Sequence, residues 1–264
     1  MIVPINFCFG DKVYKDWVDI TPTEAYKLFL QDPESFSTSP ASPGNYLEAY
    51  RQANNQKNDV LCITLSSKLS TGYEIARLAK EQAKTELPQA TIEVLDSQNV
   101  TAAEGFIALA AARAAAEGKD LAQVVRVSEK IREKVTFVIL LDTIRHVYRT
   151  GRIPKVAAQI GSMLSIKPIL SSSTGLVRFK GAVRNREQGI NRIIQMMRNT
   201  AGERPVHVAV MHAYAPDEAE KLMENLTAVV EAVVKAKPSG AKGQYIKTCL
   251  LYTSPSPRDL STTR

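Results

Sequence analysis

Val60-Leu61-Cys62-Ile63-Thr64-Leu65-Ser66-Ser67-Lys68-Leu69-Ser70-Thr71-Gly72 is the stretch that decides the fold. Its first six residues are a short, almost continuously apolar run, as expected of a strand buried on both faces of a parallel sheet. A turn of small, hydroxyl-bearing residues follows, and then a predicted helix from about Tyr73 to Thr85. The unit then repeats. Ile92–Asp96 reads as a strand, 101–117 as an Ala-rich helix stopped by Gly118, and 120–133 as a helix with Leu121, Val124, Val125, Val127 and Ile131 at helical spacing. Strands alternating with helices of this length imply βαβ units, hence a parallel sheet between two layers of helices.

Towards the N-terminus, Thr21 and Pro22 supply an N-cap and a first helical residue, and Ala25, Leu28 and Phe29 supply an apolar stripe, so 21–30 is a predicted helix. Residues 32–44 are rich in Pro, Ser and Gly and read as a loop. A helix is expected at about Asn45–Ala53. Ile2–Phe7 reads as a short strand before a Gly10-Asp11 turn, and a chain opening directly on a core strand suggests that an element precedes it.

Beyond about residue 134 the rhythm changes. Thr136–Leu141 is a predicted strand, 142–150 and 155–164 predicted helices. Lys167–Leu170, Leu176–Phe179 and Ala182–Val183 are short strands around a Ser171–Gly175 turn. Helix 186–199, strand Val206–Met211 and helix 216–234 complete the region. Strands joined by a tight turn pair antiparallel, so this half reads as α+β. The expected organisation is a three-layer α/β domain at 1–133, an α+β domain at 134–234, and a ragged or artefactual tail at 235–264.

The 264 residues suffice for one large or two ordinary domains. The net charge of +7 would suit a nucleic-acid binder if it were concentrated on the body. Six bases against one acid at 235–264 account for +5 of it, which leaves +2 for residues 1–234. Nucleic acid is therefore not an expected partner. The run Cys249–Asp259 looks like a translated sequencing-library adapter, so 249–264 is set aside from the fold argument. No apolar run reaches the length of a membrane span. No signal peptide is visible, and Cys8, Cys62 and Cys249 have neither metal-ligand spacing nor the number a disulfide framework needs. A reducing, cytoplasmic location is the expectation.

Phosphate-binding loops, dinucleotide fingerprints and nucleophile elbows are missing. His146, His207 and His212 form no metal motif, and His212, ending an apolar strand, reads as structural. Cys62 reads as packing, and Asp96 as a cap for the next helix. What stands out is hydroxyl clustering in the two segments that a βαβ reading places at strand ends: Ser37-Thr38-Ser39-Pro40 and Ser66-Ser67 with Ser70-Thr71. Hydroxyls beside helix N-terminal amides suit a carboxylate or phosphate. The same residues also serve as ordinary caps and turns. A serine-dependent hydrolase or acyltransferase using Ser66 or Ser70 is the competing reading, and it lacks a nearby base in the sequence. A second signal is Gly151-Arg152-Ile153 with Ile160–Leu170 and Val183-Arg184, where small and branched residues could line an apolar cavity or simply fill a core.

In order along the chain, Val3-Pro4-Ile5, Phe9-Gly10-Asp11, Asp19-Ile20-Thr21, Thr38-Ser39 with Ser42-Pro43-Gly44, Ser66–Ser70, Leu95-Asp96-Ser97, Gly151-Arg152-Ile153, Ile166–Ile169 and Val183-Arg184 resemble the DegV family of fatty-acid-binding proteins. The resemblance covers about residues 3–230. It implies two domains with a long-chain fatty acid held between them, no catalytic residue, no metal and no cofactor. By the same resemblance Thr38 and Ser70 bind the carboxylate, with Ser39, Ser66 and Ser67 as neighbours and Arg184 near the head group or a partner. That partner is a separate fatty acid kinase catalytic subunit, to which the bound acid is presented. Three departures accompany it. The family's first strand with its Thr-Asp-Ser motif and its terminal His-x-Gly-Pro-Gly segment have no counterpart here. The order Ser70-Thr71-Gly72 stands where the family has Ser-Gly-Thr.

Overall fold

A computed structural model of the chain describes residues 1–54, 59–143, 147, 150–152, 166–202, 206–217, 219–224 and 249–254. They group into two compact units: Met1–Glu133 together with Thr174–Leu176, and Lys134–Ser173 together with Val177–Arg264.

The first unit is built around β4 (Asp59–Thr64) and β5 (Thr91–Asp96), which pair in parallel with Val60 opposite Ile92 and Thr64 opposite Asp96. Successive side chains of a strand leave opposite faces, and here each face has its own helices. Val60, Cys62, Ile92 and Val94 pack with α2 (Pro43–Asn54) and α3 (Gly72–Glu86) through Tyr46, Tyr50, Ala76, Ala79 and Ala83. Leu61 and Ile63 pack with α4 (Thr101–Ala116) and α5 (Leu121–Arg132) through Ala111, Ala114, Val124 and Val127. The helix–sheet–helix layering follows from that apolar run.

The rest of this unit is antiparallel. β1 (Asn6–Phe9) and β2 (Lys12–Lys15) form a hairpin, and β3 (Phe36–Ser39) pairs with the other edge of β1, giving the order β2-β1-β3. Gly10, at φ 56°, supplies the positive φ that a two-residue hairpin loop requires. Strands β2 and β3 are differences from the sequence reading, which has no strand at 12–15 and a loop across 32–44. Four-residue edge strands flanked by turn residues carry too little periodicity to announce themselves. Helix α1 (Pro22–Gln31) opens with a capping box in which Thr21 and Glu24 exchange hydrogen bonds. Phe36 packs against Phe7 and Phe29.

The second unit holds a five-stranded sheet in the order β8-β7-β6-β10-β9, made of β6 (Phe137–Leu141), β7 (Lys167–Ser173), β8 (Leu176–Val183), β9 (Val208–His212) and β10 (Cys249–Ser254). β6 and β7 are antiparallel, whereas β10 runs parallel to both β6 and β9. β7 and β8 are joined by Thr174 and Gly175, both at positive φ, 51° and 84°. β8 is one strand where the sequence reading divides it at Gly181. Helix α6 (Arg186–Ala201) is capped by Asn185 and buries Ile193 and Met197 on Val138, Leu140 and Ile169. The pairing of β10 differs from the expectation that 235–264 contribute nothing to the fold. An apolar, β-favouring run, Leu250–Thr253, supplies the backbone partners that β6 and β9 need between them. The predicted helix at 155–164, with the apolar Ile160–Leu164 signal, lies outside the described residues. So do His146, most of the predicted helix 142–150 and most of 216–234 beyond 224.

Candidate functional site

Because β4 and β5 end in register, the Ser66–Gly72 turn and the Asp96–Thr101 turn leave the sheet side by side at its carboxyl edge. Two bonds join the turns to each other and to the strand ends: the Ser97 amide donates to Thr64 O (3.1 Å) and the Ser66 amide to Asn99 O (2.9 Å). This is the edge of an α/β sheet where ligands are expected.

The hydroxyls here divide by what their protons do. Ser66 is fully buried; its hydroxyl donates to Gly175 O at 2.7 Å and accepts from the Lys68 amide at 3.3 Å. The Lys68 ammonium donates to Thr174 O at 2.8 Å, so the Thr174-Gly175 turn is fastened at two points. Ser67 donates its hydroxyl to Asp96 Oδ2 at 2.6 Å, and Asp96 Oδ1 accepts from the Ser67 and Gln98 amides at 3.2 and 2.8 Å. Asp96 thus ties two turns together rather than capping α4, whose cap position is Val100. Ser66 and Ser67 have no proton to offer a ligand.

Ser70 differs. Its oxygen accepts from the Gly72 amide at 3.2 Å, and among the described residues nothing accepts its proton. It precedes α3, whose Thr71 cap makes no side-chain bond to the first turn. Thr38 is exposed on β3 opposite Phe7 and makes no side-chain hydrogen bond among the described residues. Ser39 accepts from Asn6 Nδ2 at 3.3 Å. Strand alternation sends Thr38 and Ser39 to opposite faces of β3.

The two hydroxyl segments converge beside Gly72. The point where a β-carbon would stand on Gly72 lies 3.4 Å from Ser70 Oγ, 3.3 Å from Tyr46 Oη and 4.0 Å from Pro40 Cβ, at the end of β3. Tyr46 is the member of this group that sequence reading missed. Its i, i+4 spacing with Tyr50 marks a helix face buried in a core, and nothing in that pattern reveals a hydroxyl aimed at a turn. Arg184 belongs to the second unit, where it is exposed directly after β8. Its neighbour Arg186 pairs with the buried Asp142 carboxylate, which Lys167 also contacts.

Burial governs the titration here. It pushes the Cys62 thiol up to about 11, so Cys62 is inert packing as its sequence context implies. It pushes the Tyr46 phenol up to about 12, with Cys62 and Glu104 adding to the effect. Glu104, in the first turn of α4, is pushed up to about 7 by burial first and by the charge of Asp96 second. His212 is exposed, and its Nδ1 accepts from the Ala215 amide at 3.1 Å, a structural role. Among the described residues no group of three or more His, Cys, Asp or Glu could hold a metal ion, and no helix is long and apolar enough to cross a membrane.

A two-unit α/β protein with a hydroxyl-lined turn at a parallel sheet edge and no metal-ligating cluster among the described residues is the class these features define. The family model described as "Uncharacterised protein, DegV family" matches residues 1–242, so the chain belongs to the DegV family. A DegV domain-containing protein of Caldanaerobacter subterraneus is 32% identical over 75% of this chain and 69% of its own length. A Thermus thermophilus structure described as showing fatty acid binding of a DegV family protein aligns with TM-score 0.78 and 27% identity, over 96% of this chain and 84% of that one. A Eubacterium ventriosum structure described as a stearic acid-binding protein aligns with TM-score 0.77 and 25% identity, over 90% and 82%.

Proposed function

We propose that this chain is a carrier of long-chain fatty acids that holds the carboxylate with Thr38 and Ser70 and presents it to a separate fatty acid kinase. The observation that carries the reading is the division of the hydroxyls. Those of Ser66 and Ser67 are engaged in holding turns together, whereas Thr38 and Ser70 keep a proton to donate, and the segments bearing them meet beside Gly72. Fatty acid binding described for the Thermus and Eubacterium relatives supports the choice of ligand.

The energetics suit a carrier. Burying about 14 methylenes at about 0.8 kcal/mol each gives about 11 kcal/mol of gross driving force before the cost of association. A carboxylate resists burial unless it is hydrogen-bonded. Hydroxyls and the first-turn amides of α3 that Thr71 leaves uncapped provide those bonds without a permanent counter-charge. In the kinase step, a carboxylate oxygen would take the γ-phosphoryl group of ATP, leaving ADP and an acyl phosphate; use of ATP places the protein in the cytoplasm. A serine nucleophile is disfavoured, because the Ser66 proton goes to the Gly175 carbonyl, the Lys68 ammonium is spent on Thr174 O, and among the described residues no side chain stands as a base to the Ser70 hydroxyl.

The test is the lipid that copurifies with the protein, measured by mass spectrometry after denaturation. The unaltered chain should retain about one long-chain acid, and Thr38→Ala with Ser70→Ala should reduce retention at least tenfold. Ser37→Ala, on the other face of β3 from Thr38, should retain as much as the unaltered chain. Equal retention in all three proteins, or no lipid in any, refutes the assignment.

A further inference from the structure

Helix α2 carries two tyrosines one turn apart, with ring centroids 6.4 Å from each other. Both belong to the apolar cluster between α2, α3 and the β4–β5 pair. Tyr50, 2% exposed, gives its proton to Ala76 O at 2.9 Å. Tyr46 is only 9% exposed, and among the described residues its hydroxyl makes no hydrogen bond. The ring is buried while the hydroxyl oxygen keeps contact with solvent at the edge of this core, so it can take a partner from outside without breaking a bond within the protein.

Its direction identifies the partner. Tyr46 Oη and Ser70 Oγ stand 3.3 and 3.4 Å from the same point, the place a β-carbon would fill on Gly72. Gly72 places no side chain between these two hydroxyls at the first turn of α3. We propose that Tyr46 is a further ligand-binding residue, a donor that acts with Ser70 on one carboxylate oxygen of the bound acid, which approaches over the bare Cα of Gly72. This rests on the carrier reading above and adds to it a residue that the family resemblance does not supply. Burial keeps the phenol protonated throughout the physiological range, since its pKa stands at about 12. A neutral donor pairs with a carboxylate whatever the pH between about 6 and 9. Glycine at 72 then has a steric role, because alanine there would put a methyl group in ordinary to tight contact with both oxygens.

Binding of hexadecanoic acid to delipidated full-length protein, by titration calorimetry, tests this with Tyr46→Phe, Gly72→Ala and Ser70→Ala. Tyr46→Phe should bind about five- to tenfold more weakly and melt no lower than the unaltered protein, since no protein bond is lost. Gly72→Ala should weaken binding about tenfold while melting at the same temperature or above, because alanine favours the helix. If Tyr46→Phe and Gly72→Ala bind as tightly as the unaltered chain while Ser70→Ala does not, the inference about Tyr46 falls and the carrier reading stands. If the unaltered chain does not bind the acid, or Ser70→Ala binds it equally well, the carrier reading falls and takes the inference with it.

Discussion

The two halves of the Ser66–Gly72 turn contain the same chemistry and do different things. Ser66 and Ser67 face inward and sideways, and their protons go to Gly175 O and Asp96, so they hold three chain segments together. Ser70, four residues after Ser66, lies beside Gly72 with its proton free among the described residues. A similar division separates Tyr50 from Tyr46 on α2. In both pairs one hydroxyl donates within the frame and the other donates to nothing among the described residues. Composition does not distinguish them; hydrogen-bond bookkeeping does.

The largest effect that could break this comparison belongs to Gly175. A β-carbon there would stand 2.9 Å from Ser66 Oγ, on a residue at φ 84°. Gly175→Ala should cost about 3 kcal/mol, combining left-handed backbone strain with the displaced Ser66 bond, as read by urea unfolding. A change below about 1 kcal/mol would mean that the turn is not fastened as described. Ser66→Ala comes next. It strands a buried carbonyl and an amide and should cost about 2 kcal/mol, whereas Ser70→Ala, which loses only the bond from the Gly72 amide, should cost about 0.5–1 kcal/mol. Similar losses for the two would erase the distinction between frame and ligand hydroxyls.

The smallest effect is one of pH. Glu104 ordinarily titrates near 4.5 but is held up to about 7. The native state therefore keeps a proton that the unfolded chain has lost, and the slope of stability with pH is negative between those values. A shift of that size is worth about 3 kcal/mol in full; because Glu104 is half-buried and its charge is partly screened by water, stability that is full below about pH 4.5 should decline by about 1–2 kcal/mol as pH rises through 7. Glu104→Gln should flatten that decline in unfolding measured at pH 5 and pH 8. An unchanged slope would assign the pH dependence to another group.

Much of the first unit was legible because its elements are long and regular. The Val60–Leu65 run, the Ala-rich helix and the Thr21-Pro22 helix start each carry a local signal that tertiary packing reinforced. Strands β2 and β3 were not legible, since Lys12–Lys15 and Phe36–Ser39 owe their extension to pairing with β1 rather than to their own composition. The same holds for Cys249–Ser254, which is a strand through its neighbours β6 and β9. The hydroxyl residues were visible as a set, with no local sign of which protons were already engaged.

By itself, the sequence determined the alternation of strand and helix, the change of rhythm near residue 134, and the two hydroxyl-rich segments, because periodicity and turn chemistry act over a few neighbouring residues. Only the tertiary structure decided which hydroxyl remains available. Ser66 meets Gly175 across 109 residues and Ser67 meets Asp96 across 29. A hydrogen bond depends on distance in space, and the chain reports only distance along itself.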